Sequence, residues 1–311
     1  MRPNIVQLHT ISDLWHLLGQ EVLHPQVAVI DFARLGAYNL EDMRVQCDFY
    51  VVMFKCCCPD RLRWGQQPFD FQEGSLVCIS PKQLIDFENN TASGGGSEGW
   101  ALFFHPDVLK GTPLGARMRE YTFFSYQLSE ALHLSDKERN TLTDCVQKIE
   151  EELANNMDDY SLTLVLTNIE LLLNYCMRYY GRQFITRHHY NRRVVEKVEQ
   201  ILQDYLAPTR TLSRVRTHDW EKFPTASVVA RRLCLSSDYL SDLLRKEVGL
   251  SAKDYIHYRL IEEAKERLLT TGKTVNEISF DLGFEYPQYF TRLFKAKTGQ
   301  TPVEYRTANN I

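Results

Sequence analysis

An internal repeat near the C-terminus narrows the folds open to this chain more than any other stretch. The octet Asp238-Tyr239-Leu240-Ser241-Asp242-Leu243-Leu244-Arg245 returns as Gln288-Tyr289-Phe290-Thr291-Arg292-Leu293-Phe294-Lys295, an offset of 50. Gly249 then matches Gly299, Ser251 matches Thr301, and Tyr255 matches Tyr305. Upstream the offset is 49, pairing Val229-Ala230 and Leu233 with Ile278-Ser279 and Leu282. The slip falls in a turn, where one extra residue is easily absorbed. In the second copy, Val275 to Leu282 reads as a short helix and Gly283 as the turn after it. Tyr289, Phe290, Leu293 and Phe294 then form one apolar stripe of a second helix. Gln288, Thr291, Arg292 and Lys295 lie opposite, all able to hydrogen-bond, and Gly299 supplies the stop. Between the copies, Ala252 to Thr270 reads as one helix with Tyr255, Ile256, Leu260, Ala264, Leu268 and Leu269 inward.

Two short helices joined by a tight turn, the second with a polar and partly cationic face, form a helix-turn-helix unit. A surface hairpin with a solvated face would look the same once; repetition of the aromatic, glycine and polar positions argues against that reading. At ~1.5 Å per residue the connecting helix spans roughly 28 Å, approaching the roughly 34–36 Å between successive major-groove segments on one face of B-DNA. Double-stranded DNA is therefore the expected partner. The expected contacts are Ser237, Asp238, Ser241, Asp242 and Arg245 from the first unit, and Pro287, Gln288, Thr291, Arg292 and Lys295 from the second. The units are unequal, because aspartate is repelled by phosphate where the second copy has glutamine and arginine.

The stretch GFEYPQYFTRLFKAKTGQTPVEYR (residues 283–306) resembles the signature of the AraC/XylS-type bacterial transcription regulators, and residues 227–250 resemble the first, more variable reader of the same module. The resemblance covers about residues 194–306. It implies a seven-helix domain with two helix-turn-helix units on a long central helix, and a regulator that activates through contacts with RNA polymerase.

The front of the chain has another texture. Val27 to Phe32, Met43 to Cys47, Asp48 to Cys56, Leu62 to Trp64, Phe69 to Phe71, Leu76 to Ile79 and Trp100 to Phe104 read as short strands. A helix is expected around Ser12 to Gln20, and Thr91 to Gly99 reads as a flexible loop. The family's front domain is often a cupin-like barrel that binds an effector, and Phe69 to Gln83 resembles one of its turns. A small-molecule effector would rest against Phe49, Phe54, Trp64 and Phe71; the same aromatics serve equally well as core. Ser135 and Glu138 form a capping box opening a helix to about Ala154. The next helix, Ser161 to Tyr180, carries the stripe Leu162, Val165, Ile169, Leu172, Cys176 and Tyr179, and a second stripe Leu166, Leu173 and Tyr180. The family pairs such helices into a homodimer; packing within one chain is the alternative. The expected class is thus α+β: a β-rich, cupin-like domain (1–134), a helical dimerisation arm (135–181), a polar, basic linker (182–193) and an all-α double helix-turn-helix domain (194–311). Pro208 to Pro224 is a basic loop that either touches phosphates through Arg210, Arg214 and Arg216 or is simply solvated.

Charge agrees with that division: residues 191–311 hold 20 Lys+Arg against 16 Asp+Glu, whereas the whole chain is at -4. The rear is mildly basic and the front carries the acidic excess. No apolar run approaches the ~18 residues of a membrane span, and Met1 to Thr10 lacks a signal peptide's apolar core, so a cytoplasmic protein is expected. There is no G-x-S-x-G, no phosphate-binding glycine loop and no H-E-x-x-H, and so no enzyme and no cofactor are expected. The histidines, His9, His16, His24 and His105 among them, are scattered, which leaves no metal site. Cys56-Cys57-Cys58 keeps one alternative alive, since some DNA-repair regulators join an AraC-type module to zinc-held, methyl-accepting cysteines. The four-ligand spacing of such a site is missing, and structural thiols are the simpler reading.

Overall fold

The computed structural model describes residues 5–34, 43–55, 63–64, 67–68, 74–87, 99–155, 158–206 and 224–309. The chain divides into two compact units, Met1–Thr186 and Arg187–Ile311.

The first unit opens with β1 (Ile5–Leu8), α1 (Ile11–Leu18), β2 (Val27–Asp31), β3 (Met43–Cys47), β4 (Tyr50–Lys55), β5 (Arg63–Trp64) and β6 (Gln67–Pro68). It continues through β7 (Ser75–Ile79), β8 (Leu84–Phe87), β9 (Gly99–Phe104), α2 (Pro113–Arg117) and β10 (Leu132–His133) to α3 (Asp136–Ala154) and α4 (Ser161–Thr186). The strands form two five-stranded sheets, ordered β1-β3-β8-β5-β6 and β10-β7-β4-β9-β2. Among the described residues the sheets are separate and neither closes on itself, so the expected β-rich domain is present, and the described strands do not form the closed cupin-like barrel expected of it. Strands β1, β6, β8 and β10 lie outside the expected set; β8 follows a turn in which Lys82 takes φ 68°.

Alternate residues of the second sheet (Ala28 and Ile30, Val51 and Met53, Val77 and Ile79, Ala101 and Phe103) share one core with Val45, Cys47, Phe49 and the α1 side chains Ile11, Leu14 and Trp15. The opposite residues (Val27, Val52, Phe54, Leu76, Cys78, Leu102, Phe104) are buried as well. A sheet buried on both faces needs a second layer, and α3 and α4 supply it: α3 packs on β2 and α4 on β10. Trp100 Nε1 donates to Thr143 Oγ1 at 3.0 Å, and Phe123 stacks on Tyr180 with centroids 5.5 Å apart. Phe49 and Phe54 are therefore core side chains. Residues 69–73, with Phe71, the loop 91–98 and the Cys56-Cys57-Cys58 run lie outside the described residues.

Helix α3 starts with the expected capping box, Ser135 Oγ and the Glu138 carboxylate each accepting the other's backbone N–H. From Val165 onward the first stripe of α4 turns inward within this unit, as do Leu173 and Tyr180 of the second. Val165, Ile169, Leu172, Leu173 and Cys176 are at most 1% exposed, whereas Leu162 at the start of the stripe is 46% exposed, so the stripe from Val165 to Tyr179 packs within its own unit. Leu164, Leu171 and Ile185 are the kind of apolar side chain that α4 leaves exposed.

The expected linker at 182–193 is helical instead. α4 runs to Thr186, and α5 (His188–Leu206) begins two residues later. The polar residues that read as a linker have specific partners. Gln183 accepts from the His133 backbone N–H at 2.9 Å and donates to the Ala131 carbonyl at 3.1 Å. Arg182 reaches both Glu138 oxygens, at 3.0 and 2.9 Å, and the His133 carbonyl. Asn191, fully buried, donates to Glu247 at 2.9 Å.

In the second unit α5 is followed by α6 (Ala226–Arg232), α7 (Ser237–Val248), α8 (Ala252–Thr270), α9 (Val275–Asp281), α10 (Pro287–Thr298) and α11 (Pro302–Asn309). The core joins Val198 and Leu202, Val229, Leu243 and Leu244, Ile256, Leu260 and Ala264, Ile278, and Phe290 and Phe294, each nearly or fully excluded from water. The loop 208–223, with Arg210, Arg214 and Arg216, lies outside the described residues.

Candidate nucleic-acid interface

The repeat in sequence is a repeat in backbone geometry. α6 and α9 both end in a Schellman turn, in which the second residue past the C-cap donates back over five positions. The bonds are Leu235 N–H to the Ala230 carbonyl at 2.9 Å and Phe284 N–H to the Ser279 carbonyl at 3.0 Å. The left-handed residue that such a turn requires is Gly283 (φ 86°) in the second copy of the repeat and Cys234 (φ 54°) in the first. Leu235 and Phe284 then drop into the core. Four residues separate α6 from α7 and five separate α9 from α10, which accounts for the slip from 49 to 50. α7 is capped by Ser236 Oγ, which accepts from the Tyr239 N–H at 3.2 Å. α10 has no side-chain cap and opens instead with Pro287 in its first turn, a residue with no N–H to satisfy. Both helices stop at a left-handed glycine, Gly249 or Gly299.

These helices sit on α8, whose buried side chains are Ala252, Ile256, His257, Leu260, Ile261, Ala264 and Leu268. Tyr255 is half-buried and donates to Glu199 at 3.0 Å, and Leu269 is exposed, so the expected inward stripe is shifted at both ends. Lys297 ties α10 to α8 through Asp254 at 3.0 Å; a hydrogen bond from Ser251 and the lysine hold that carboxyl below its ordinary range. Arg306 caps the C-terminal end of α8, donating to the Leu268 and Lys273 carbonyls. Much of the 283–306 stretch is thus spent on building the unit.

On α10, Gln288, Arg292 and Lys295 are exposed, with Pro287 and Thr291 half-buried beside them. All five line one open concavity of about 480 Å³, together with Asn276 from the first turn of α9. Asn276 lies outside the expected contacts, all of which fall on the second helix of each copy. Its signal was present: it follows Thr274, whose capping box with Glu277 fixes where α9 begins. The walls offer two cations, two amides and a hydroxyl, a set that donates to phosphate oxygens and to the acceptor edges of purines.

The first unit differs. Asp238 and Arg245 are exposed, and Ser237, Ser241 and Asp242 half-buried, on α7. Asp242 binds Arg245 three residues on, at 2.8 Å. Asp238 lies in the first turn, where a carboxylate stabilises the positive end of the helix dipole. In the second unit Tyr289 does not follow the expected apolar stripe: it is 40% exposed, while Phe290 and Phe294 are fully buried and Leu293 half-buried.

Of the described thiols Cys234 is exposed; the buried ones are poor candidates for chemistry. Cys47, Cys78, Cys145 and Cys176 are buried. Burial, with Asp48 nearby, pushes the Cys47 thiol up to about 12, and burial also raises Cys78 well above its ordinary value. Such thiols stay protonated and unreactive. Among the described residues no three His, Cys, Asp or Glu side chains converge as metal ligands, and no helix is long and apolar enough to cross a membrane.

Comparison with known proteins places this geometry. Residues 229–308 match the family model for a helix-turn-helix domain. Over 84 residues, 27% of this chain, the sequence is 38% identical to the arabinose operon regulatory protein of Salmonella typhimurium, and it spans only 30% of that protein. A longer match, 27% identical over 250 residues, covers 78% of this chain and 72% of YfiF, an uncharacterized HTH-type transcriptional regulator of Bacillus subtilis. The bifunctional transcriptional activator/DNA repair enzyme AdaA of Bacillus subtilis is 35% identical over 80 residues, 25% of this chain and 38% of that protein.

Proposed function

We propose, on the premise that the C-terminal domain of this chain belongs to the AraC/XylS-type helix-turn-helix family, that the whole protein is a sequence-specific transcription regulator. It reads double-stranded DNA with α7 and α10 in two successive major-groove segments, held apart by α8. The observation that carries this reading is the concavity on α10. There Gln288, Thr291, Arg292 and Lys295 converge with Asn276 at the surface of a helix-turn-helix whose sister copy has the same turn and the same glycine stop. Arg292 and Gln288 are the base readers of α10, for guanine and adenine, and Lys295 and Asn276 meet the backbone. Pro287 and Thr291 complete that face. Ser237, Asp238, Ser241, Asp242 and Arg245 form the weaker reader.

The front unit serves regulation in this scheme: a small-molecule effector acts on its sheets, and the protein works in the cytoplasm as a homodimer that contacts RNA polymerase as an activator. Because most of both stripes of α4 is buried in its own unit, pairing would use the exposed face around Leu164 and Leu171. DNA repair by a methyl-accepting cysteine is the weaker scheme, as similarity to the bifunctional relative extends over only 80 residues.

The direct test is titration of the full chain against a pool of random duplex DNA at several salt concentrations. Affinity should fall linearly on logarithmic axes, with a slope of about -0.9 for each phosphate neutralised. A well-folded protein with no affinity for duplex DNA at low salt would overturn the reading.

A further inference from the structure

The two copies of the repeat part company at Tyr289. Its counterpart Tyr239 is 2% exposed, whereas Tyr289 is 40% exposed beside the fully buried Phe290 and Phe294. The Tyr289 ring leans on Phe284, with centroids 5.9 Å apart and planes inclined by 47°, so its position is set by a core side chain. Over the ring lies Arg292, three residues on, its guanidinium carbon 5.6 Å from the centroid. A cation above an aromatic ring is attracted by the ring's quadrupole. A guanidinium that meets a ring with its flat face keeps the N–H donors along its edge available to a base.

The first copy treats its arginine differently. At the position equivalent to Arg292 it has Asp242, and this carboxylate takes hold of Arg245 at 2.8 Å. Each reader therefore restrains one arginine through an intrahelical partner three residues away. In α7 the partner is an anion that offsets the charge and occupies donor groups. In α10 it is a ring that does neither. A long side chain loses conformational freedom when it docks, and holding it near its docked conformer beforehand reduces that loss.

We infer that Tyr289 is a positioning residue for base reading: its ring holds the Arg292 guanidinium with the donor edge turned outward, toward the two acceptors of a guanine in the major groove. The inference rests on the DNA-reading function proposed above. The requirement is for an aromatic face at position 289; the phenol hydroxyl has no part in it.

The test uses the full chain and a duplex enriched by it from a random pool. The base pair read by Arg292 is located first, as the position at which Arg292→Ala loses discrimination. Affinities for the enriched duplex and for its three substitutions at that pair are then compared among variants. Tyr289→Leu and Tyr289→Met, each checked for an unchanged Tm, should lower the preference for guanine about two- to fivefold, the size of an exposed cation–ring contact. Binding to random duplex should stay put, and Tyr289→Phe should restore the full preference. The inference fails if the aliphatic variants keep the preference, if Tyr289→Phe loses as much as they do, or if specific and random DNA weaken equally. It fails also if Arg292→Ala changes no base preference. Failure of the wild-type chain to enrich any sequence would remove the DNA-reading function itself; enrichment with an unmoved preference removes only the role of Tyr289.

Discussion

At the scale of single residues, the readers differ by what each cation is already doing. Arg292 rests over a ring, whereas Arg245 is bound by a carboxylate. Arg292→Ala should therefore weaken binding to an enriched duplex by at least ~1 kcal/mol, since a good bidentate pair with guanine is worth roughly 1–3. Asp242→Ala releases Arg245 from an exposed ion pair of ~0–1 kcal/mol, so stability should hardly move and affinity should stay level or rise. Titrating both variants at one salt concentration decides the order, and a larger loss for Asp242→Ala would reverse it. Cys234 offers a separate check on the turn. It holds a left-handed conformation that Gly283 adopts freely in the second copy. Left-handed backbone costs a side-chain-bearing residue about 1–2 kcal/mol, and glycine costs about 0.5–1 in unfolded-chain entropy. Cys234→Gly should thus raise the denaturation midpoint slightly; a clear fall would mean that the thiol makes a contact worth more than the strain.

At the scale of elements, α4 changes meaning between sequence and structure. Its three-four alternation was legible, but not the two layers that share it, because burial on both faces of the β7-β4-β9 sheet has no mark in α4 itself. Ile169 is fully buried, so Ile169→Asp should unfold the first unit, leaving an uncompensated charge in a packed core. Leu171→Asp, on the exposed face, should give a folded protein that sediments as a monomer if α4 pairs two chains; a folded dimer would move the interface elsewhere. The linker failed for a related reason. Arg182, Gln183 and Asn191 are polar, and composition alone does not reveal that β10 and α7 supply their partners. The repeat fared better because helix caps, the glycine stops and a four-residue apolar spacing are local signals. Five of its ten named contacts line one concavity, and Asn276, at the start of α9, joins them there.

At the scale of the whole molecule, the second unit contains both readers and the helix between them. Its acid sensitivity should centre on His257, buried in α8 against Lys253, Lys297 and Asp254. Burial first, and then the two lysines, lower its pKa below the ordinary 6.5. The folded state therefore resists protonation, and the unfolded chain takes up the proton first. Full stability belongs above about 6.5 and is lost as pH falls through the depressed folded value. Denaturation midpoints between pH 7.5 and 5 should fall for the wild type and less steeply for His257→Gln. Guanine N7 lies in the major groove, so methylation interference on an enriched duplex tests two-segment reading most directly. Interference should appear in two segments on one face of the helix, about 10 base pairs apart, and Arg292→Ala should erase it from one segment alone. A single segment of interference, or interference that Arg292→Ala leaves whole, would contradict recognition by two readers.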